Sequence, residues 1–404
     1  MNKTHAKTRR SARSAFWRSF TVGLCWMAFT SSVHELADQT WLVKRLENAN
    51  LDALFSGKER NTSPDVLVVS ITDEDYLTLF SGISPLNTAK LMDVIDAILA
   101  GNPKAVGVDF DTSAWAISAT KYTGKPIVWA REALGEAGSV TMGKALGGAK
   151  DVCYGVPAYF PDEDGVVREY KQFIEGADRQ YYPSLAFNLV EVSQRGAGAC
   201  QGSLPNLNPH QSAKTEKVNF RGPKNVFDHL SSGVLLKLTG SKAWVAANPL
   251  RDKIVLLGGA YRATRDAYPT PFQYLDGVDI IANTVDMNLP GHKKLRDSPL
   301  WLTIAGYAEA VALLAMLYFV PPTWKLLITA LTGPVYVVLV SWFAFPAGTF
   351  FSFVPCFAGI VIHEVVEYGK EYRHLQREIR ELHEQINGVR AAAGPDAARG
   401  HSVV

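Results

Sequence analysis

Four aspartates stand where this sequence could do chemistry. Asp73 and Asp75 follow the apolar run Val66-Leu67-Val68-Val69-Ser70-Ile71, and Asp109 and Asp111 follow Ala105-Val106-Gly107-Val108. Ligand crevices of open α/β sheets lie outside the carboxyl ends of strands. If both runs are neighbouring strands, four carboxylates meet at one edge, and oxygen donors in that number could hold Mg²⁺ or Ca²⁺. The plainer reading spends them on helix caps and turns, with no cofactor. Arg262 and Asp266, just past Gly258-Gly259, are loop candidates for a ligand contact. Asp162-Glu163-Asp164-Gly165 is like the opening of a calcium loop without the EF-hand pattern. It reads as a hairpin turn, with Arg168 available to pair with one of its acids. Gly138 to Lys144 fits G-x-x-x-x-G-K, yet Ala145 replaces the Ser or Thr that would bind Mg²⁺, so no P-loop is expected. There is no G-x-S-x-G, no H-E-x-x-H and no cysteine-histidine cluster with zinc spacing. No catalytic residue and no resident metal are expected.

The elements that must position these residues follow from periodicity. The two apolar runs read as strands. Between them Leu91, Val94, Ile95, Ile98 and Leu99 recur at helical spacing, and Gly101-Asn102-Pro103 stops that helix. This β-α-β unit predicts parallel, adjacent strands with a right-handed crossover. Lys253 to Gly259 reads as another buried strand, followed by a helix from Gly277 to Leu289. Val152 to Phe160 and Val166 to Ile174 read as a hairpin across the acidic turn. The fold class is a mixed α/β domain with a parallel β-α-β core.

The 404 residues carry a net charge of +2, with no basic excess of the kind a nucleic-acid binder needs. That total hides uneven parts. The first 18 residues hold six Lys and Arg and no acid, while 34–298 carry 28 basic and 31 acidic residues. Apolar blocks fill 16–33, 299–320, 324–346 and 349–366, each near the length that crosses a ~30 Å hydrocarbon core as a helix. The basic start (1–15) predicts a cytoplasmic N-terminus. Counting crossings then puts 34–298 outside, and both the loop with Lys325 and the C-terminus inside, in a bacterial inner membrane. A cleaved signal peptide is the alternative for the first block. Glu309 falls inside the second block, as a coupling or proton-linked residue or as a protonated, hydrogen-bonded one. Cys153 and Cys200 fall in the outside part, where a disulfide could form if the two meet.

Val361, Val365, Tyr368, Tyr372, Leu375, Ile379, Leu382, Ile386 and Val389 alternate in steps of four and three. That 3.5-residue period predicts a left-handed coiled coil over 367–390, whose seam begins inside the last block. A self-paired coil makes the protein a homodimer or higher homo-oligomer. A lone amphipathic helix on the bilayer is the alternative. His363 and Glu364 sit at the junction of membrane and coil, and 391–404 read as a disordered tail.

Taken in order, these residues resemble the CHASE2 family of extracytoplasmic sensory domains. The pieces are the first strand with its acidic turn, Asn102-Pro103-Lys104-Ala105-Val106-Gly107-Val108-Asp109, and Asp162-Glu163-Asp164-Gly165-Val166-Val167-Arg168, similar to D-x-D-G-V-x-R. Pro183-Ser184-Leu185-Ala186 and Asn219-Phe220-Arg221-Gly222-Pro223 come next. Lys253 to Gly258 with Asp266, Thr270-Pro271, Gly277-Val278 and Ala282-Asn283 closes the series. The likeness covers 46–289 and implies one span before the domain and three after. Family members usually continue into a cyclase or kinase, and about 36 residues remain here after the last span. The resemblance therefore implies a non-enzymatic sensor that binds an outside ligand or protein and signals to a cytoplasmic or envelope protein partner. Its alternatives are a scaffold subunit of an envelope complex, or the receptor part of a longer or split enzyme such as an adenylate cyclase.

Overall fold

The computed structural model describes residues 17–18, 20–26, 28–29, 41–56, 62–115, 121–134, 140–144, 146, 152–157, 159–204, 215–297, 300–321, 324–325, 327–328, 331, 342–343, 345, 348–350 and 354–392. The basic N-terminus, most of the block 324–346, the first two residues of the P-loop-like stretch and nearly all of the tail lie outside these residues. The chain divides into two compact units. One holds Ala49–Arg296 with Phe345–Phe350, and the other holds Met1–Asn48, Asp297–Ala344 and Phe351–Val404.

The first unit is built on a six-stranded, all-parallel sheet. Its strands are β1 (Val66–Ile71), β2 (Ala105–Asp109), β3 (Ile127–Ala130), β4 (Cys153–Gly155), β10 (Asp228–Ser231) and β11 (Ile254–Gly259), in the spatial order β10-β1-β11-β2-β3-β4. Every residue of β1 and β11 is buried, as expected of strands covered by helices on both faces. On one face lie α3 (Thr88–Ala100) and α5 (Ser232–Leu238), with Leu91, Val94, Ile95, Ile98 and Leu235 packed on Leu67, Val69, Val106 and Val255. On the other lie α4 (Leu185–Arg195) and α7 (Gly277–Asn288), with Leu185, Leu189, Val278, Ile281 and Val285 on Val66, Val68, Val128 and Leu256.

Two sequence expectations are corrected. Strands β1 and β2 are parallel but not adjacent, because β11 lies between them and pairs with both. The crossover rule fixes handedness and leaves the gap open, and a later strand that is apolar on both faces takes the central place. The hairpin is real but shorter than its apolar runs. Strand β5 (Tyr159–Pro161) pairs antiparallel with β6 (Val167–Lys171), with an irregularity at Phe160/Pro161, whereas Cys153–Gly155 joins the main sheet beside β3.

The edge strand β4 is fastened by a disulfide between Cys153 and Cys200, 47 residues apart. Asn188, fully buried on α4, donates to Tyr154 O and Gln201 O and so clamps the same strand. Closing a loop of that length restricts the unfolded chain and contributes about 2–4 kcal/mol. Reduction of the folded protein should therefore lower its melting temperature by several degrees, read by circular dichroism with and without a thiol. An unchanged melting temperature would show that the clamp rests on Asn188 alone.

A third apolar cluster closes the unit on the side of α7 away from the sheet. It gathers Leu51, Leu54 and Phe55 of α1 (Trp41–Ser56), Val167 and Tyr170 of β6, and Val218, Phe220, Leu275, Ile280, Met287, Leu295 and Phe345. Helix α7 is buried nearly all round because it is packed on both sides. Its polar residues are used inside: Asp286 accepts from Ser63 and Arg221, and Asp279 meets His229 Nε2 at 3.1 Å.

The second unit contains α8 (Leu300–Leu317) and α9 (Val354–Ala392). Leu313, Leu314 and Leu317 of α8 pack with Ile360 of α9, and Phe20 joins them. Among the described residues no helix is long and apolar enough to cross a membrane.

Candidate functional site

The structure distributes the seven predicted ligand residues over five places. Asp75 is spent on architecture. It completes a capping box with Thr72 at the start of α2 (Asp73–Thr78). Buried there, it also accepts from Ser232 Oγ at 3.0 Å and from Gly233 N at 3.1 Å, tying the ends of β1 and β10 together. Asp73 and Arg262 do meet, at the exposed edge. Asp73 Oδ1 accepts the Arg262 backbone N–H at 2.9 Å, and the guanidinium lies 3.7 Å from Oδ2. Asp111 turns back on its own loop and accepts from Ser113 N. Asp73, Asp75 and Asp111 thus go to separate partners. Among the described residues no group of three or more His, Cys, Asp or Glu is arranged to hold a metal.

Asp109 and Asp266 come together with two tyrosines that sequence reasoning missed. Asp109 ends β2 beside Gly258 of β11, at the carboxyl edge of the sheet. Asp266 precedes β12 (Ala267–Pro269), which pairs with β13 (Tyr274–Asp276). Tyr159 of β5 donates to Asp266 Oδ1 at 3.4 Å, and its ring meets Tyr268 edge-on at 5.3 Å. Gly277 opens helix α7 against this group, where any side chain would collide with Asp266 and the Tyr159 hydroxyl. Lys224 closes the far side by pairing with Asp276, the N-cap of α7.

The electrostatics follow from crowding acids in a half-dry place. Burial, and then the Asp266 charge, push Asp109 up to about 7. Burial also raises Asp266, against hydrogen bonds from Tyr268 and Tyr159 that favour its ionised form. The Tyr159 phenol is driven above its ordinary range by burial and then by the Asp109 and Asp266 charges. Two carboxyls so placed titrate as a pair and retain a proton near neutrality. The site can bind a proton, a cation or a hydroxyl-bearing ligand. It contains no activated nucleophile.

Arg168 lies elsewhere, in a saturated ionic knot. The side chain is 3% exposed, and all five of its N–H donors are used. Nε and one terminal nitrogen clasp Asp52 of α1 in a fork at 2.9 and 2.7 Å. The remaining donors hold Asp162 and Asp164 at 2.8–2.9 Å. The turn acids were expected as partners, and Asp52 was not, since 116 residues separate it from Arg168. The knot belongs to the third cluster, beside Val167. So does Asn219-Phe220-Arg221: Phe220 is in that cluster, Arg221 grips Asp286, and Asn219 donates to Lys293 O. Two of the recognisable motifs therefore build the region where the chain comes into and leaves the unit, which we call the hub. Tyr159 and Tyr268 pack against the same cluster, so the acid pair and the hub share a wall.

A separate cleft of about 450 Å³ opens at the amino ends of β3 and β4, lined by Tyr122, Lys125, Tyr154 and the Cys153–Cys200 bridge. None of the predicted ligand residues reaches it.

In the second unit, the side chain of Glu309 lies outside the described residues. His363 and Glu364, expected at an interface, are buried as a pair with Nδ1 3.2 Å from Oε1. The seam falls on the single helix α9. Val365, Tyr368, Tyr372, Leu375, Ile379, Leu382 and Ile386 are 46–58% exposed, an apolar stripe left open along it.

A family model for the CHASE2 domain matches residues 22–320, more than half of the chain. No curated protein matches, and no solved structure does.

Proposed function

This chain belongs to the CHASE2 family of extracytoplasmic sensory domains, and on that premise we propose that it is a membrane-bound sensor. Residues 34–298 lie outside the cytoplasm of a bacterium and take a ligand or protein partner at the Asp109–Asp266–Tyr159–Tyr268 site. Four helices drawn from the apolar blocks 16–33, 299–320, 324–346 and 349–366, without Phe345–Phe350, hold it in the inner membrane, with both ends of the chain inside. The observation that carries the reading is the shared wall: the two tyrosines of the acid site pack on the hub that holds α1 and Leu295. A disulfide in the same unit supports an oxidising compartment.

A ligand can shift such a sensor only by preferring one of its states. Full-length protein in detergent, melted with fractions of small molecules and envelope proteins, should gain several degrees with the right one. Asp266→Asn should abolish that gain. If no fraction moves the melting temperature, or if Asp266→Asn retains the shift, this site is not the receptor site.

The output is a parallel coil of two copies along the open stripe of α9. Its supports are the seam period and the exposed side chains. Replacing Leu375 and Ile379 together with Asp should reduce crosslinking between copies at least tenfold, assayed in membranes with a lysine-reactive reagent. Equal crosslinking would discard the coil.

A further inference from the structure

The junction of the last two apolar blocks, including the end of one and the start of the next, is a built part of the sensor unit. Phe345 and the residues to Phe350 group with Ala49–Arg296, although the chain on either side belongs to the other unit. Phe345 is fully buried. Its ring stands edge-on to Phe55 of α1 at 5.0 Å, and Phe55 in turn meets Phe220 and Phe272 at 5.9 and 5.6 Å. Three residues on, Gly348 has φ +81° and closes a turn by donating to Phe345 O. Its own carbonyl accepts from Arg296 N at 2.8 Å, and a side chain there would press on Lys294 O. Positive φ and close backbone approach are the two conditions that call for glycine. The docking is therefore specified by an aromatic plug, a glycine turn and a main-chain hydrogen bond.

We propose that Phe345–Phe350 is a third fastening between the membrane helices and the sensor, and that it carries the state of the hub directly to α9. A CHASE2 sensor with one span before and three after would otherwise reach its last helix only through the first connection and the two intervening helices. Here the plug shares the hub with α1 and Leu295. Helix α9 begins at Val354, four residues past Phe350, and runs unbroken into the seam. A movement of Phe55 or Phe220 thus has a short covalent route to the coil. The junction must also lie on the same side of the membrane as the sensor, which agrees with the orientation counted from the basic N-terminus. The relay rests on the membrane-sensor reading above, whereas the docking does not.

Hydrogen exchange on the full-length protein in detergent separates the two. In Phe345→Ala, amides of Leu51–Ser56 and Leu295–Arg296 should exchange at least tenfold faster, with β1, β2 and β11 unchanged. Amides of Val361–Leu375 should change as well, and Phe345→Leu should restore most of both effects. Unchanged exchange at Leu51–Ser56 overturns the docking. Faster exchange there with Val361–Leu375 untouched overturns the relay and leaves the plug merely structural. If Phe345→Ala does not accumulate, thiol labelling of Phe345→Cys decides, with Cys25 and Cys356 replaced by Ala. Labelling ten times slower than at Tyr274→Cys supports the buried plug, and equal rates overturn it. No ligand enters these measurements, so failure of the sensor reading shows separately, in the melting assay.

Discussion

Arg168→Met should destabilise the sensor unit by about 3 kcal/mol and loosen α1 from it, the largest single-residue loss expected in this protein. The magnitude follows from what is left behind. Removing one partner of a buried ionic group strands the others, at roughly 3–5 kcal/mol. The low end applies because the three acids differ in exposure: Asp162 is 9% exposed, Asp52 33% and Asp164 47%. Water can take over Asp164 and part of Asp52, but not Asp162. Met fills much of the arginine's volume, so the loss reads the ionic knot more than a cavity. Arg168→Lys keeps the charge and should recover only part of the loss, since an ammonium has three donors and no fork to clasp Asp52. Asp164→Asn should cost no more than about 1 kcal/mol, as an exposed pair does. The Arg168 hydrogen bond holds Asp164 below the ordinary carboxylate range. Its contribution is therefore present above the unfolded-state pKa and fades as pH falls through the lowered value. Urea unfolding followed by tryptophan fluorescence measures the series. A loss below 1 kcal/mol for Arg168→Met would mean that the knot forms without holding anything.

The same residue shows what the sequence made legible. The turn Asp162–Gly165 and its pairing with Arg168 were readable because all the partners lie within seven residues. Asp52 was not, because nothing local joins two groups 116 residues apart. Strands β1, β2 and β11 and helices α3 and α7 could be read from apolar period and run length, whereas β3, β10, α4 and α5 were not. Their order could not, since β11 enters the centre late and displaces β2 from β1. That displacement also explains the fate of the four strand-end aspartates. Pairs predicted to face each other across adjacent strands are separated by Gly258-Gly259, so Asp109 finds Asp266 instead of Asp73. The tyrosines of the site carried no signal of their own. Tyr159 and Tyr268 sit in three-residue strands, too short to show an alternation. The motifs that made the family recognisable mostly specify the hub and the caps. The part of the site that could vary with ligand is the part with the least pattern.

Asp109→Asn should make the protein more stable above pH 7, by about 2–4 kcal/mol, and should flatten its pH dependence. In the unfolded chain this carboxyl has its ordinary pKa of 3.8, while in the fold burial and Asp266 raise it to about 7. Between those values the folded protein holds a proton that the unfolded chain has released. Stability is then full below about pH 4, falls as pH rises toward 7, and levels off beyond. Asn copies the neutral carboxyl at every pH, so the two proteins should be equally stable near pH 3.5 and diverge up to pH 8. Asp266→Asn should move the decline to lower pH, because it removes the neighbouring charge and leaves the burial. If Asp109 is also where the hub is set, the wild-type coil should change its crosslinking through the same pH interval, and Asp109→Asn should hold it in the acid form at pH 8. Parallel stability curves for Asp109→Asn and wild type from pH 4.5 to 8.5 would show that Asp109 ionises freely. The acid pair would then hold no proton near neutrality.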